Sequence, residues 1–272
     1  MMIFLFSQSK AVLIALEALT FLFMMTRIYD GASALGVLLV LIIGSAIAVL
    51  GASFYAGILH HRLLLALYTL QRPEDFIRVY EPLLAAKWIP ANVRFTLTAY
   101  LSNGYAAKGD FPRARTLLDN APQAGKRQAF NRELILCANR ASIALAEGAA
   151  GEAQTQLLHM EELILSPKMN AKNRDAQRTI LDGQKAQLRI LRGECHIADC
   201  DILREQSKKP GSALRKTELN YFIGRAYMQL NQPAFAREYL AAAAQSTDVY
   251  LGKLAASALK ALSKEDNKKK PS

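Results

Sequence analysis

Hydrophobic and polar positions alternate in two different ways along this chain. Residues 31–59 run for 29 positions without a charged side chain. As a helix rising ~1.5 Å per residue, this stretch reaches about 43 Å, more than the ~30 Å hydrocarbon core of a bilayer. It predicts a membrane-spanning helix over 33–57. Upstream, residues 11–26 form a 16-residue apolar segment broken by Glu17. That segment ends in Phe-Met-Met-Thr-Arg, without a small-residue cleavage site, and the longer run follows almost at once. A helical hairpin turning near 27–31 is therefore expected, rather than a removable signal peptide. Beyond this anchor, placed at 1–59, apolar residues recur with a helical period through a domain at 60–262. The last stretch, 263–272, is polar and basic and reads as a disordered tail.

Within the long run, Gly44, Ala48, Ala52 and Ala56 lie four apart. Small residues at this spacing make a smooth ridge that lets another helix approach closely. The ridge can receive the first apolar segment or, in a homodimer through Gly44, Ala48 and Ala52, a second copy of the chain.

The domain beyond the anchor is repetitive. A helical segment ends at Gly109, Asp110 is placed to cap the next one, and Ala114, Leu117, Leu118 and Ala121 mark one face of it. Near the C-terminus Asn231 takes the place of Gly109, and Ala236, Tyr239, Leu240 and Ala243 repeat the spacing. Weaker copies have Gly148 before Ala153 and Gly193 before Ala198. The marker alanines 114, 153, 198 and 236 are 39, 45 and 38 residues apart, the signature of stacked helix–turn–helix units. Loop signals at 121–125, 166–168 and 208–212 separate them.

This pattern resembles the tetratricopeptide repeat, which pairs two antiparallel helices around a glycine turn and an alanine crossing point. Residues 101–121 carry the resemblance through Tyr105, Gly109, Asp110, Phe111, Ala114 and Ala121. Residues 223–243 carry it through Gly224, Tyr227, Ala236, Tyr239 and Ala243. In the middle copies Arg189 stands where the aromatic belongs, and Glu205 replaces the last alanine. The resemblance implies an all-α fold: a transmembrane helical hairpin, then an α-solenoid of about four to five helix pairs. His61 to Lys87 would be a further unit whose first helix continues out of the span. It also implies a groove lined by the first helix of each unit, at Ala99, Asn103 and Ala106, at Ala138, Ser142 and Leu145, and at Tyr221, Arg225 and Met228. Asn103, Ser142, Tyr221 and Arg225 are the partner-binding candidates for a peptide or helix of another protein. Ala99 stands where a carboxylate-holding lysine would, so that mode of binding is not expected. The same positions could instead pack the solenoid, or the chain's own C-terminal helix could fill the groove.

Charge adds an orientation. Lys10, Glu17, Arg27 and Asp30 cancel in the anchor, so the formal +11 lies entirely beyond residue 59. Such a surface suits anionic lipid, an acidic partner or plain solubility. His60, His61, Arg62, Arg72 and Arg78 follow the second span, against Arg27 in the turn, which places both termini on the cytoplasmic side of the cell membrane. Three cysteines without framework spacing argue against a disulfide-built domain.

Candidate chemistry is sparse. Glu17 and Lys10 share a helix face, and an ionisable group at membrane depth suggests either an intramembrane role or a pair neutralised in place. His60 and His61 point about 100° apart on a helix, and Cys195, His196 and Cys200 lack the spacing of a structural zinc site, so no metal is expected. Phosphate loops, nucleophile elbows and Rossmann glycines are missing, so neither an enzyme nor a cofactor is expected. Aromatics occupy core positions rather than alternating with bases, which argues against nucleic acid. The expected function is a membrane-tethered scaffold or adaptor that binds a protein partner through its solenoid surface. The alternatives are a membrane component that uses Glu17 with a regulatory solenoid, and a basic surface that docks on anionic lipid or RNA.

Overall fold

A computed structural model describes residues 2–31, 33–85, 91–122 and 128–269. Among the described residues, every regular element is a helix. They are α1 (Met2–Tyr29), α2 (Ala34–Tyr68), α3 (Pro73–Leu84), α4 (Ala91–Lys108), α5 (Phe111–Asp119), α6 (Ala129–Glu147), α7 (Ala150–Leu165), α8 (Ala171–Arg192), α9 (Ile197–Lys208), α10 (Ala213–Gln229), α11 (Pro233–Ala244) and α12 (Tyr250–Lys269). Two compact units divide the chain, Met1–Leu65 and Ala66–Ser272.

In the first unit, α1 and α2 are long and apolar enough to cross a membrane. Their windows Ala11–Tyr29 and Ala34–Ala52 have mean hydropathies of 1.9 and 2.7 and are 0% and 6% buried. Side chains such as Leu19, Leu22, Leu35 and Leu50 stand open over most of their surface. Gly31, at φ +75°, closes the turn between the helices, a left-handed conformation that costs glycine little. The two helices run antiparallel: Thr20 lies against Gly44, and Leu16 lies near Gly51. A Cβ on Gly44 would collide with the Thr20 side chain, and Ala48 is only 1% exposed. The small-residue ridge is thus occupied by α1 at these two positions. Ala56, also on the ridge, and Lys10 lie outside the residues whose side chains are described.

In the second unit the helices follow one another as packed neighbours, and next-but-one helices also touch from α4 through α12. The arrangement is repeat-like, and its unit is set by one local device. Gln71, Gly109, Gly148, Gly193 and Asn231 all take positive φ, at 56°, 94°, 94°, 80° and 55°. In the last four turns the following amide reaches a carbonyl five residues back, as Asp110 to Tyr105 at 2.9 Å and Gln232 to Tyr227 at 2.9 Å. This satisfies carbonyls that the helix end leaves unpaired. In the first turn Arg72 reaches Ala66, six residues back, at 2.9 Å. Helix starts are also locally encoded: Asp110 accepts from Arg113 N, Asn170 from Lys172 N and Ser212 from Arg215 N.

Ala114, Ala153 and Ala236 are fully buried where the paired helices cross, as their spacing predicts. Ala198 is not: it is exposed, and Cys200 is buried in its place. The reason is a longer turn, since α9 begins at Ile197, four residues after Gly193, whereas α5 and α7 begin two residues after their glycines. The register of that unit is therefore shifted by two. At the C-terminus α12 runs through Lys269, into the stretch expected as a tail; the side chains from 265 onward lie outside the described residues.

The last helix does not end the array in isolation. α12 returns to α4. Tyr250 packs edge-on against Phe111, with ring centroids 5.1 Å apart, and lies over Gly109, where a Cβ would meet its Cδ2 at 2.6 Å. Each end of the second unit thus covers part of the other.

Candidate functional site

A cavity of about 180 Å³ lies among the first helices of the pairs. Its walls are the end of α2 at Tyr68, the inner faces of α4 and α6, the start of α10, and the segment entering α12. Ala106, Ile143, Leu214, Val249 and Leu251 supply apolar wall, while Asn103, Asn139, Ser142, Arg215 and Glu218 supply polar groups. The α-helical period explains the pairing of Asn103 with Ala106 and Ala107 on one face, and of Asn139 with Ser142, Ile143 and Ala146 on the next.

The polar groups are held by bonds behind the wall. Asn103 Nδ2 donates to the Tyr68 hydroxyl at 3.1 Å. Burial pushes the Tyr68 phenol up to about 12, with the Asn103 bond acting in the opposite direction, so the hydroxyl stays neutral at physiological pH and accepts the Asn103 bond. Gln184 Nε2, from α8, donates to Ser142 Oγ at 2.7 Å and to the Ala138 carbonyl at 3.1 Å. Glu218 accepts from Arg215 at 2.7 Å and from Gln187 Nε2 at 3.0 Å. Arg215 also reaches Gln206 Oε1 at 3.1 Å. The carbonyl oxygens of Gln184 and Gln187 are buried without a partner.

Of the four partner-binding candidates, the structure brings Asn103 and Ser142 into this cavity and leaves Tyr221 and Arg225 out of its lining. Tyr221 is buried and stacks edge-on against Phe222, and burial raises its phenol. The Arg225 guanidinium lies 5.9 Å from the Tyr221 ring centre. Tyr68, Asn139, Arg215 and Glu218 are wall residues that the sequence did not single out. Arg215 and Glu218 were visible only as an i, i+3 charge pair, which ordinarily marks a solvated face.

Other chemistry-bearing residues have structural partners. Ser45 Oγ donates to Glu17 Oε2 at 3.0 Å, linking α2 to α1. Asp199, 2% exposed, accepts from the His196 amide at 3.0 Å and pairs with Arg189. Burial pushes the Cys200 thiol up to about 12 and the Cys137 thiol up to about 11, which keeps both protonated at neutral pH. Among the described residues, no group of three or more His, Cys, Asp or Glu could hold a metal ion.

A scan against protein-family models and searches of curated proteins and of solved structures returned no significant match. The class that the fold defines is an all-α chain with two apolar N-terminal helices and a repeat-like array of helix pairs.

Proposed function

We propose that the protein is a membrane-tethered scaffold of tetratricopeptide-like form that holds a protein partner at its inner face. The observation that carries this reading is the cavity where Asn103 on α4 and Ser142 on α6 meet across successive first helices. Neutral polar groups at Asn103, Asn139 and Ser142, beside an Arg215–Glu218 pair already joined to itself and framed by alanine, leucine and valine, suit a main-chain amide or a small side chain. A cavity of this size suits a side chain presented by a helix or a short extended segment of the partner. The long apolar surfaces of α1 and α2 support the membrane tether, because hydrocarbon accepts side chains that water does not. Basic residues after the second span support a cytoplasmic domain. Ser45 gives Glu17 a partner inside the hairpin, which supports a stapling role for that carboxyl over an independent intramembrane activity.

The test is site-specific photocrosslinking in cells, with the probe at Asn103 or, as the control outside the cavity lining, at Arg225. A discrete adduct from position 103, lost on adding Ser142→Leu, is expected. Adducts from position 225 alone would place the contact elsewhere and end this reading. Protease treatment of inverted vesicles is expected to remove a C-terminal tag, and treatment of intact cells to leave it.

A further inference from the structure

We propose that Gln71, Thr217 and Ser246 form a latch that gates the inner cavity. The three residues come from the turn after α2, from α10 and from the segment between α11 and α12, the last two 146 and 175 positions from Gln71. Gln71 Nε2 donates to Thr217 Oγ1 at 2.6 Å, and Ser246 Oγ donates to Gln71 Oε1 at 2.5 Å. The Thr217 and Ser246 hydroxyls lie 2.7 Å apart, which closes the cycle. Thr217 and Ser246 are 4% and 7% exposed.

The three residues do not line the cavity themselves, but each adjoins residues that do. Tyr68, which lines the cavity, stands three residues before Gln71; Leu214 and Glu218 flank Thr217; Val249 stands three residues after Ser246. The latch therefore joins the wall built by the start of the second unit to the wall built by its end. Tyr250 over Gly109 and Phe111 makes a second contact of the same kind. The chemistry suits a closure that reverses. Each bond of the cycle can be exchanged for one to water, so its net bias toward the closed form is small. Gln71 also holds a left-handed backbone, at φ 56°, that favours release. With the latch closed, the cavity admits only a side chain or a short segment; with it open, α4 and α6 present a longer inner face.

The inference rests on the partner reading for its purpose but not for its test. Full-length protein in detergent micelles would be followed by hydrogen–deuterium exchange and mass spectrometry, comparing wild type with Gln71→Leu/Ser246→Ala. Peptides covering 103–107 and 246–252 are expected to exchange about tenfold faster in the variant, while α7 and α8 keep their wild-type rates. Ser246→Ala alone, a milder change, is expected to give a smaller rise in the same peptides, and Thr217→Ser, which keeps the hydroxyl, none. Unchanged exchange, or a uniform rise through α5–α9, would overturn the latch. If the variant opens locally yet crosslinks no more partner at Asn103, the latch stands and the partner reading fails.

Discussion

The helix pairs α10–α11 and α8–α9 both leave their first helix through a positive-φ residue, and are closed by opposite chemistry. In α10–α11 the seam is apolar. Gly224 lets Leu240 approach to where a Cβ would meet its Cγ at 2.6 Å, and the Tyr227 ring lies 5.2 Å from Phe235 and 5.7 Å from Tyr239. In α8–α9 the aromatic position is Arg189, and its partner is the buried carboxylate of Asp199. That carboxylate also caps α9 through the His196 amide. Cys200 and Leu203 are the buried apolar residues that α9 brings to this unit. The backbone device specifies that two helices fold back on each other; the side chains decide how that contact fails. An apolar seam loses packing when trimmed, whereas a polar seam loses satisfaction.

Breaking the apolar seam has the largest expected effect. Tyr227→Ala should cost about 3–4 kcal/mol, read as a lower urea midpoint of the full-length protein in micelles. Asp199→Ala comes next, at about 2–3 kcal/mol, because it strips a charge-assisted pair and a helix cap together. Replacing both partners, Arg189→Met with Asp199→Leu, should recover most of that loss; a double variant no better than Asp199→Ala would show that the cap, not the ion pair, dominates. At the turns, Gly193→Ala should destabilise by about 1 kcal/mol, and Asn231→Gly should stabilise by a smaller amount, since a Cβ is disfavoured at positive φ. The smallest effect concerns His159, whose bonds to Glu133 on α6 and Glu162 on α7 raise it above its usual 6.5. Its contribution is complete below pH 6.5 and fades as pH rises through the higher folded value. Urea midpoints measured across that interval should fall slightly in wild type and stay flat in His159→Gln.

Some of this architecture was legible in the residues because it rests on local physics. A 29-residue uncharged run leaves a helix few other environments, and Gly109, Gly148 and Gly193 stand where only a glycine is comfortable. Asn231 was legible for the same reason, as a residue that tolerates the left-handed region. Gln71 carries no such signal, and its turn is held by its side chain as much as by its backbone. The two-residue delay before α9 misplaced the crossing point onto Ala198, because an alanine and a cysteine fit a helix crossing equally well. The cavity was half legible. Asn103 and Ser142 follow from the groove positions that the resemblance implies, but Tyr68 at the end of α2 and Arg215 and Glu218 on α10 reach it through contacts distant in sequence, which no local pattern records.

That return also sets an order in time. The 175 residues between Gln71 and Ser246 take about 9–35 s to be made, at the ~5–20 residues per second of protein synthesis. Over the last 99 residues of that interval, from Glu147 at the end of α6 to Ser246, α4 and α6 have been made while the segment that covers them has not. A newborn chain therefore exposes its inner face before a finished one covers it, and assembly during translation would meet an open surface that assembly afterwards would have to reopen.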